Sequence, residues 1–105
     1  KYPKGAKPRR IDAVRVSGGE AAILPFTRKM LPDFQKAIRN RKIEVIEIKR
    51  KLNRPVIGQV IVGARLMEME YQDIRRVQMV ILCESSDPVL EMICRGLNIK
   101  VWKSG

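Results

Sequence analysis

Apolar and polar positions alternate with a period of two over residues 10–16. Asp12, Val14 and Val16 share one face there, and Ile11, Ala13 and Arg15 the other. Ser17-Gly18-Gly19 is a turn signal, so residues 21–26 are expected to return as the second strand of a hairpin. Pro32-Asp33 opens a short predicted helix with Phe34, Ala37 and Ile38 as its apolar stripe. Alternation resumes at residues 42–51: Ile43, Val45, Glu47 and Lys49 lie on one side, Glu44, Ile46, Ile48 and Arg50 on the other. Asn53-Arg54-Pro55 then reads as a capped helix start, and the helix runs through Gln59 to about Tyr71, burying Ile57, Val60, Ala64 and Met67. Residues 77–83 are apolar on both faces, as in a central strand covered on both sides. Asp87-Pro88 caps a further helix carrying Leu90, Ile93 and Cys94, with Gly96 as its stop signal, and residues 99–102 form a closing strand. The order β-β-α-β-α-β-α-β predicts an α/β fold, a mixed central sheet flanked by helices. Residues 1–9 mix Lys, Pro and Gly without period and read as a flexible basic arm; residues 10–105 read as one domain.

Charge changes this picture more than composition does. The net charge is +11, and it is unevenly placed. The first ten residues hold five basic side chains and no acid, and residues 28–54 hold ten basic against Asp33, Glu44 and Glu47. The remainder is close to neutral. Such clustering attracts polyanions, because each neutralised phosphate releases a condensed counterion. It is also compatible with a merely solubilising surface. No apolar run reaches the length of a membrane span and no signal peptide opens the chain, so a soluble, intracellular (cytoplasmic) protein is expected, with no membrane partner. There is no histidine, which excludes a Ser-His-Asp triad, a Cys-His pair and any His-containing zinc site. Cys83 and Cys94 lack metal-ligand spacing and read as core thiols.

The face Ile43, Val45, Glu47, Lys49 carries the candidate chemistry. An apolar stripe continues into a carboxylate, which is costly to bury unless it is paired or bound to a cation. Asp12 repeats the anomaly beside Val14 and Val16. One reading is a salt bridge of Asp12 or Glu47 with Lys49 near the sheet's rim. The other is a site, favoured when the three residues are taken together at the ends of neighbouring strands.

Asp12, then Glu47-Ile48-Lys49 on a following strand, then a helix carrying Gly58-Gln59, resembles the PD-(D/E)XK nuclease superfamily, with its restriction-endonuclease-like core. The resemblance covers about residues 10–102. It implies a Mg²⁺- (or Mn²⁺-) dependent endonuclease that hydrolyses DNA phosphodiester bonds. By that resemblance Asp12 and Glu47 are metal ligands, Ile48 offers its carbonyl, Lys49 positions or activates water, and Gln59 matches a helical glutamine of several branches. Hard oxygen ligands suit Mg²⁺, and a lysine beside the phosphate steadies developing charge. Arg9, Arg10, Arg50, Lys51 and Arg54 are expected to grip the nucleic-acid backbone. The separation of 35 residues between Asp12 and Glu47 is long for the pattern, and Asp33 is the competing acid. The residue before Asp12 is Ile11 rather than proline, residues 1–9 cannot supply the acid-bearing N-terminal helix of many members, and Gly63 stands where one exonuclease branch has a tyrosine. A core this small is expected to act as a homodimer or within a larger assembly. The alternatives are a non-catalytic basic nucleic-acid-binding module on a degenerate nuclease fold, and a structural domain whose basic patch meets an acidic protein.

Overall fold

The computed structural model describes residues 12–16, 23–24 and 38–104. The sheet has five strands: β1 (Ala13–Val16), β2 (Ile23–Leu24), β3 (Lys42–Lys51), β4 (Arg76–Ser85) and β5 (Ile99–Lys103). Two helices complete the described elements, α1 (Arg54–Glu70) and α2 (Pro88–Gly96). Spatial order is β2-β1-β3-β4-β5; β1 is antiparallel to both its neighbours, while β3, β4 and β5 run parallel. The expected α/β mixed sheet flanked by helices is therefore present. The helix expected after Pro32 lies outside the described residues apart from Ile38, as do the arm at residues 1–9, Arg9, Arg10 and Asp33.

Strand faces follow from register. Val14 pairs with Val45 and Val16 with Ile43, and across β4 the same face carries Val77, Met79, Ile81 and Cys83. Both helices pack on that one side, as two successive crossovers of the same hand between adjacent parallel strands require. The main core forms there: Val14, Ile43, Val45, Ile81, Cys83 and Ile99 pack against Val56, Ile57, Val60 and Met67 of α1 and Cys94 of α2. The opposite face holds a smaller cluster of Ala13, Ile46 and Val80, flanked by Leu82 and Trp102. Glu44 is buried on that face because the Arg15 guanidinium pairs with it, and the same guanidinium lies 4.9 Å from the centre of the Trp102 ring.

Local signals account for most of the boundaries. Asn53 caps α1, its side chain accepting from the Val56 N–H at 2.9 Å. Asp87 caps α2 by accepting from the N–H groups of Val89 and Leu90. β4 extends beyond residues 77–83 at both ends, since pairing with β3 continues from Arg76 to Ser85. α2 ends at Gly96, as expected, but the left-handed turn falls two residues later. Leu97 caps the helix, and Asn98 adopts the left-handed backbone (φ 60°) that turns the chain into β5. Ile93 is 46% exposed, so Cys94 rather than Ile93 anchors that helix to the core. Both cysteines are free and buried, as expected. Among the described residues no helix is long and apolar enough to cross a membrane.

Candidate active site

β1 and β3 pair from Val16 opposite Ile43 to Ala13 opposite Ile46. One further step of that register puts Asp12 opposite Glu47, on the face covered by α1. Directly opposed residues on an antiparallel pair carry Cβ atoms roughly 5 Å apart, so the two carboxyl groups are neighbours by construction. Asp12 stands at the entry to β1, and its Oδ2 accepts a hydrogen bond from the Ile48 N–H at 2.8 Å. It thus continues with a side chain the ladder that the backbone of β1 begins. In an extended strand a residue's N–H and C=O point toward the same neighbour. The Ile48 carbonyl therefore faces the Asp12 side of β3, while the Ile48 side chain stands on the opposite face, 49% exposed.

A cavity of about 540 Å³ opens over this pair, lined by Asp12, Glu47, Lys49, Pro55, Gly58, Gln59, Val62 and Gly63. Its floor is the strand pair and its wall is one face of α1, since 55, 58, 59, 62 and 63 recur at helical spacing. All four residues expected to be catalytic, Asp12, Glu47, Lys49 and Gln59, meet here. Two glycines keep the helical wall low, and a Cβ built on Gly58 has nothing within 4 Å, so the space beside it is open. In the sequence Gly58 is read only as the neighbour of Gln59 in the resemblance, and Gly63 only as the residue standing where one branch has a tyrosine; neither is read as a wall. The signal was there in the spacing of Gly58 and Gly63 around Gln59.

The electrostatics of Glu47 follow from this geometry. The residue is 5% exposed, and its carboxyl is pushed up from 4.5 to about 7. Burial is the largest cause and the charge of Asp12 the next, while Lys49 pulls in the opposite direction. The salt-bridge reading is not met: Lys49 is exposed and forms no ion pair within 4.0 Å among the described residues.

The basic residues expected beside the site are arranged less tightly. Arg50 points to the opposite face and pairs with Glu84 at 3.5 Å; Lys51 and Arg54 are exposed, and none of the three lines the cavity. Among the described residues no group of three or more His, Cys, Asp or Glu side chains converges to hold a metal ion. The donor set is two carboxylates and the backbone oxygen of Ile48, all hard oxygen donors of the kind Mg²⁺ and Mn²⁺ accept alongside water. No protein-family model matches this chain, and no curated protein and no solved structure matches it.

Proposed function

We propose that the protein is a divalent-metal-dependent nuclease that hydrolyses phosphodiester bonds of DNA, as its resemblance to the PD-(D/E)XK superfamily implies. The observation that carries the reading is the opposition of Asp12 and Glu47 on the floor of a cavity that also receives Lys49 and Gln59. Two carboxyl groups held together, with the proton affinity of Glu47 raised by its burial and by the charge of Asp12, fit a divalent cation. Asp12, Glu47 and the Ile48 carbonyl would hold Mg²⁺ or Mn²⁺, which when bound supplies Lewis acidity toward the phosphate and lowers the pKa of water.

The remaining work falls to the chain's own groups. The Lys49 ammonium, free of any ion pair among the described residues, is available to a non-bridging phosphate oxygen or to the attacking water. Gln59 presents an amide that can donate to one oxygen and accept from another, which orients a water. The low wall at Gly58 and Gly63 admits a nucleic-acid backbone beside the helix. Water adds across a P–O bond, leaving a phosphate monoester on one fragment and a hydroxyl on the other. This reading carries an intracellular setting and action as a homodimer or within a larger assembly.

A second reading, a nucleic-acid-binding module on a degenerate nuclease fold, is favoured by one observation. Only two carboxylates meet at the site among the described residues. Metal separates the two. Calorimetric titration with Mn²⁺ is expected to show binding that is lost in Asp12→Ala, and plasmid cleavage in Mg²⁺ is expected to be lost in Glu47→Ala. Cleavage that survives Glu47→Ala would overturn the nuclease assignment at this site. DNA binding with no Mn²⁺ uptake would leave the second reading standing.

A further inference from the structure

The end of the sheet remote from the cleft gathers cations that are scattered in the sequence. Arg39, Arg41 and Lys42 precede and open β3, and Arg75 and Arg76 precede and open β4. Backbone hydrogen bonds tie the two segments together: Asn40 N–H donates to the Asp73 carbonyl at 2.7 Å, and Arg75 N–H to the Arg41 carbonyl at 3.0 Å. The β3–β4 register then sets Lys42 directly beside Arg76. Adjacent strands lie about 4.8 Å apart, and like charges placed side by side on them are destabilising.

Among the described residues, acids do not balance this edge. Asp73 pairs with Arg39 at 3.8 Å and Glu68 with Arg65 at 3.2 Å, which leaves Glu70 nearby. Arg41, Arg75 and Arg76 are exposed and form no ion pair among the described residues. Four of the five cations are arginines, whose planar fork matches a phosphate bidentately. The charge of Arg41, Arg75 and Arg76, held close together and outside any ion pair among the described residues, suits a polyanion, whose condensed counterions it displaces.

Lys42 lies five residues from Glu47 along β3, roughly 17 Å at 3.3 Å per residue. That is about five base-pair steps of 3.4 Å, too far to touch the phosphates that flank a bond in the cleft. We infer that Arg41, Arg75 and Arg76 form a second phosphate-contacting surface, which grips the nucleic-acid backbone remote from the cleft. The inference rests on the proposed function, because it takes the same DNA as its ligand. It adds a binding surface that the basic residues around Glu47 do not supply.

The test is the salt dependence of duplex-DNA binding, measured by fluorescence anisotropy in EDTA so that no cleavage occurs. Each phosphate that the protein ceases to neutralise lowers the slope of log K against log salt by about 0.9. The triple variant Arg41→Ala/Arg75→Ala/Arg76→Ala is expected to lower the slope by about 2 to 3 and to bind at least tenfold more weakly near 0.1 M salt. A control variant, Arg95→Ala/Lys100→Ala, removes exposed cations at α2 and β5 and is expected to leave the slope unchanged. Thermal unfolding of the triple variant is expected at or above the wild-type temperature, since a like-charge repulsion is relieved. A triple variant with wild-type slope overturns the inference while leaving the cleft reading intact. So does a control that lowers the slope as much per charge removed. Wild-type protein that binds no DNA overturns the inference and the proposed function together.

Discussion

Glu47→Gln is expected to stabilise the metal-free protein at about pH 8 and to leave it unchanged at about pH 4. The folded carboxyl sits at about 7 against an ordinary 4.5, raised first by burial and then by Asp12. A raised folded value means that the folded state keeps a proton the unfolded chain gives up. Stability from this group is therefore whole below pH 4.5, falls as pH rises through the window to about 7, and is flat beyond it. At about 1.36 kcal/mol for each pH unit between the two values, the loss is roughly 3 kcal/mol, or about 2 kcal/mol once water in the open cavity is allowed for. Glutamine is uncharged throughout, so the gap between variant and wild type should open across that window. Urea unfolding followed by the fluorescence of Trp102, the single tryptophan, measures it in EDTA at several pH values. Adding Mg²⁺ at about pH 8 should close the gap by stabilising the wild type alone, by RT ln(1 + [Mg²⁺]/Kd). A Glu47→Gln protein less stable than wild type at about pH 8 in EDTA would refute the reasoning. That is the result expected if an ionised Glu47 held the sheet together through an attractive pair.

Asp12 offers a finer dissection. Asp12→Asn keeps an oxygen for the Ile48 N–H but removes the charge, so Mn²⁺ binding by calorimetry should be lost while metal-free stability holds or rises. Asp12→Ala also loses the hydrogen bond and should unfold about 1 kcal/mol more easily than Asp12→Asn in urea. Lys49→Ala should lower plasmid cleavage by roughly 10²- to 10⁴-fold with unchanged Mn²⁺ affinity and unfolding midpoint, because the side chain is exposed and unpaired among the described residues. Gly58→Ala should raise stability by up to about 1 kcal/mol, since helical glycine is unfavourable and an added Cβ meets nothing within 4 Å. Gly58→Leu should fold equally well and block cleavage, as read from parallel melting and plasmid assays.

Period and capping made the strands and helices legible. The residues of β3, from Lys42 to Lys51, were readable from alternation alone, and Asn53 and Asp87 marked both helix starts because a cap needs only a side-chain oxygen and three or four local residues. Helix ends were less legible. Gly96 resembles a stop signal, but the left-handed turn falls on Asn98, where the chain must reverse to enter β5. The proximity of Asp12 to Glu47 was legible as a shared parity on two strands, and the register supplied the missing information that they stand opposite each other. What could not be read was what depends on how the elements pack once the strands are in register. The cavity wall at Gly58 and Gly63 and the Arg41–Arg75 edge depend on packing and on strand adjacency. Charge counted along the chain leaves Arg75 and Arg76 in a stretch that sums near zero.

The position of the site follows from a change of strand direction. β3 is the one described strand with an antiparallel neighbour on one side and a parallel neighbour on the other. β4 accompanies it as far as Lys51, whereas the described pairing with β1 ends at Ala13 opposite Ile46. Beyond that point the β1 side of β3 is served by the Asp12 carboxylate rather than by a backbone strand, and the Glu47 side chain lies on the face where α1 presents Pro55, Gly58, Gln59, Val62 and Gly63 to the cavity. In α/β sheets the crevice beyond the carboxyl ends of the parallel strands is where ligands find polar groups that the core leaves open. Here that crevice holds two acids and a lysine whose burial or exposure no packing requirement explains. A core built for stability alone would place an apolar residue at position 47, as it does at Val45 two residues earlier on the same face.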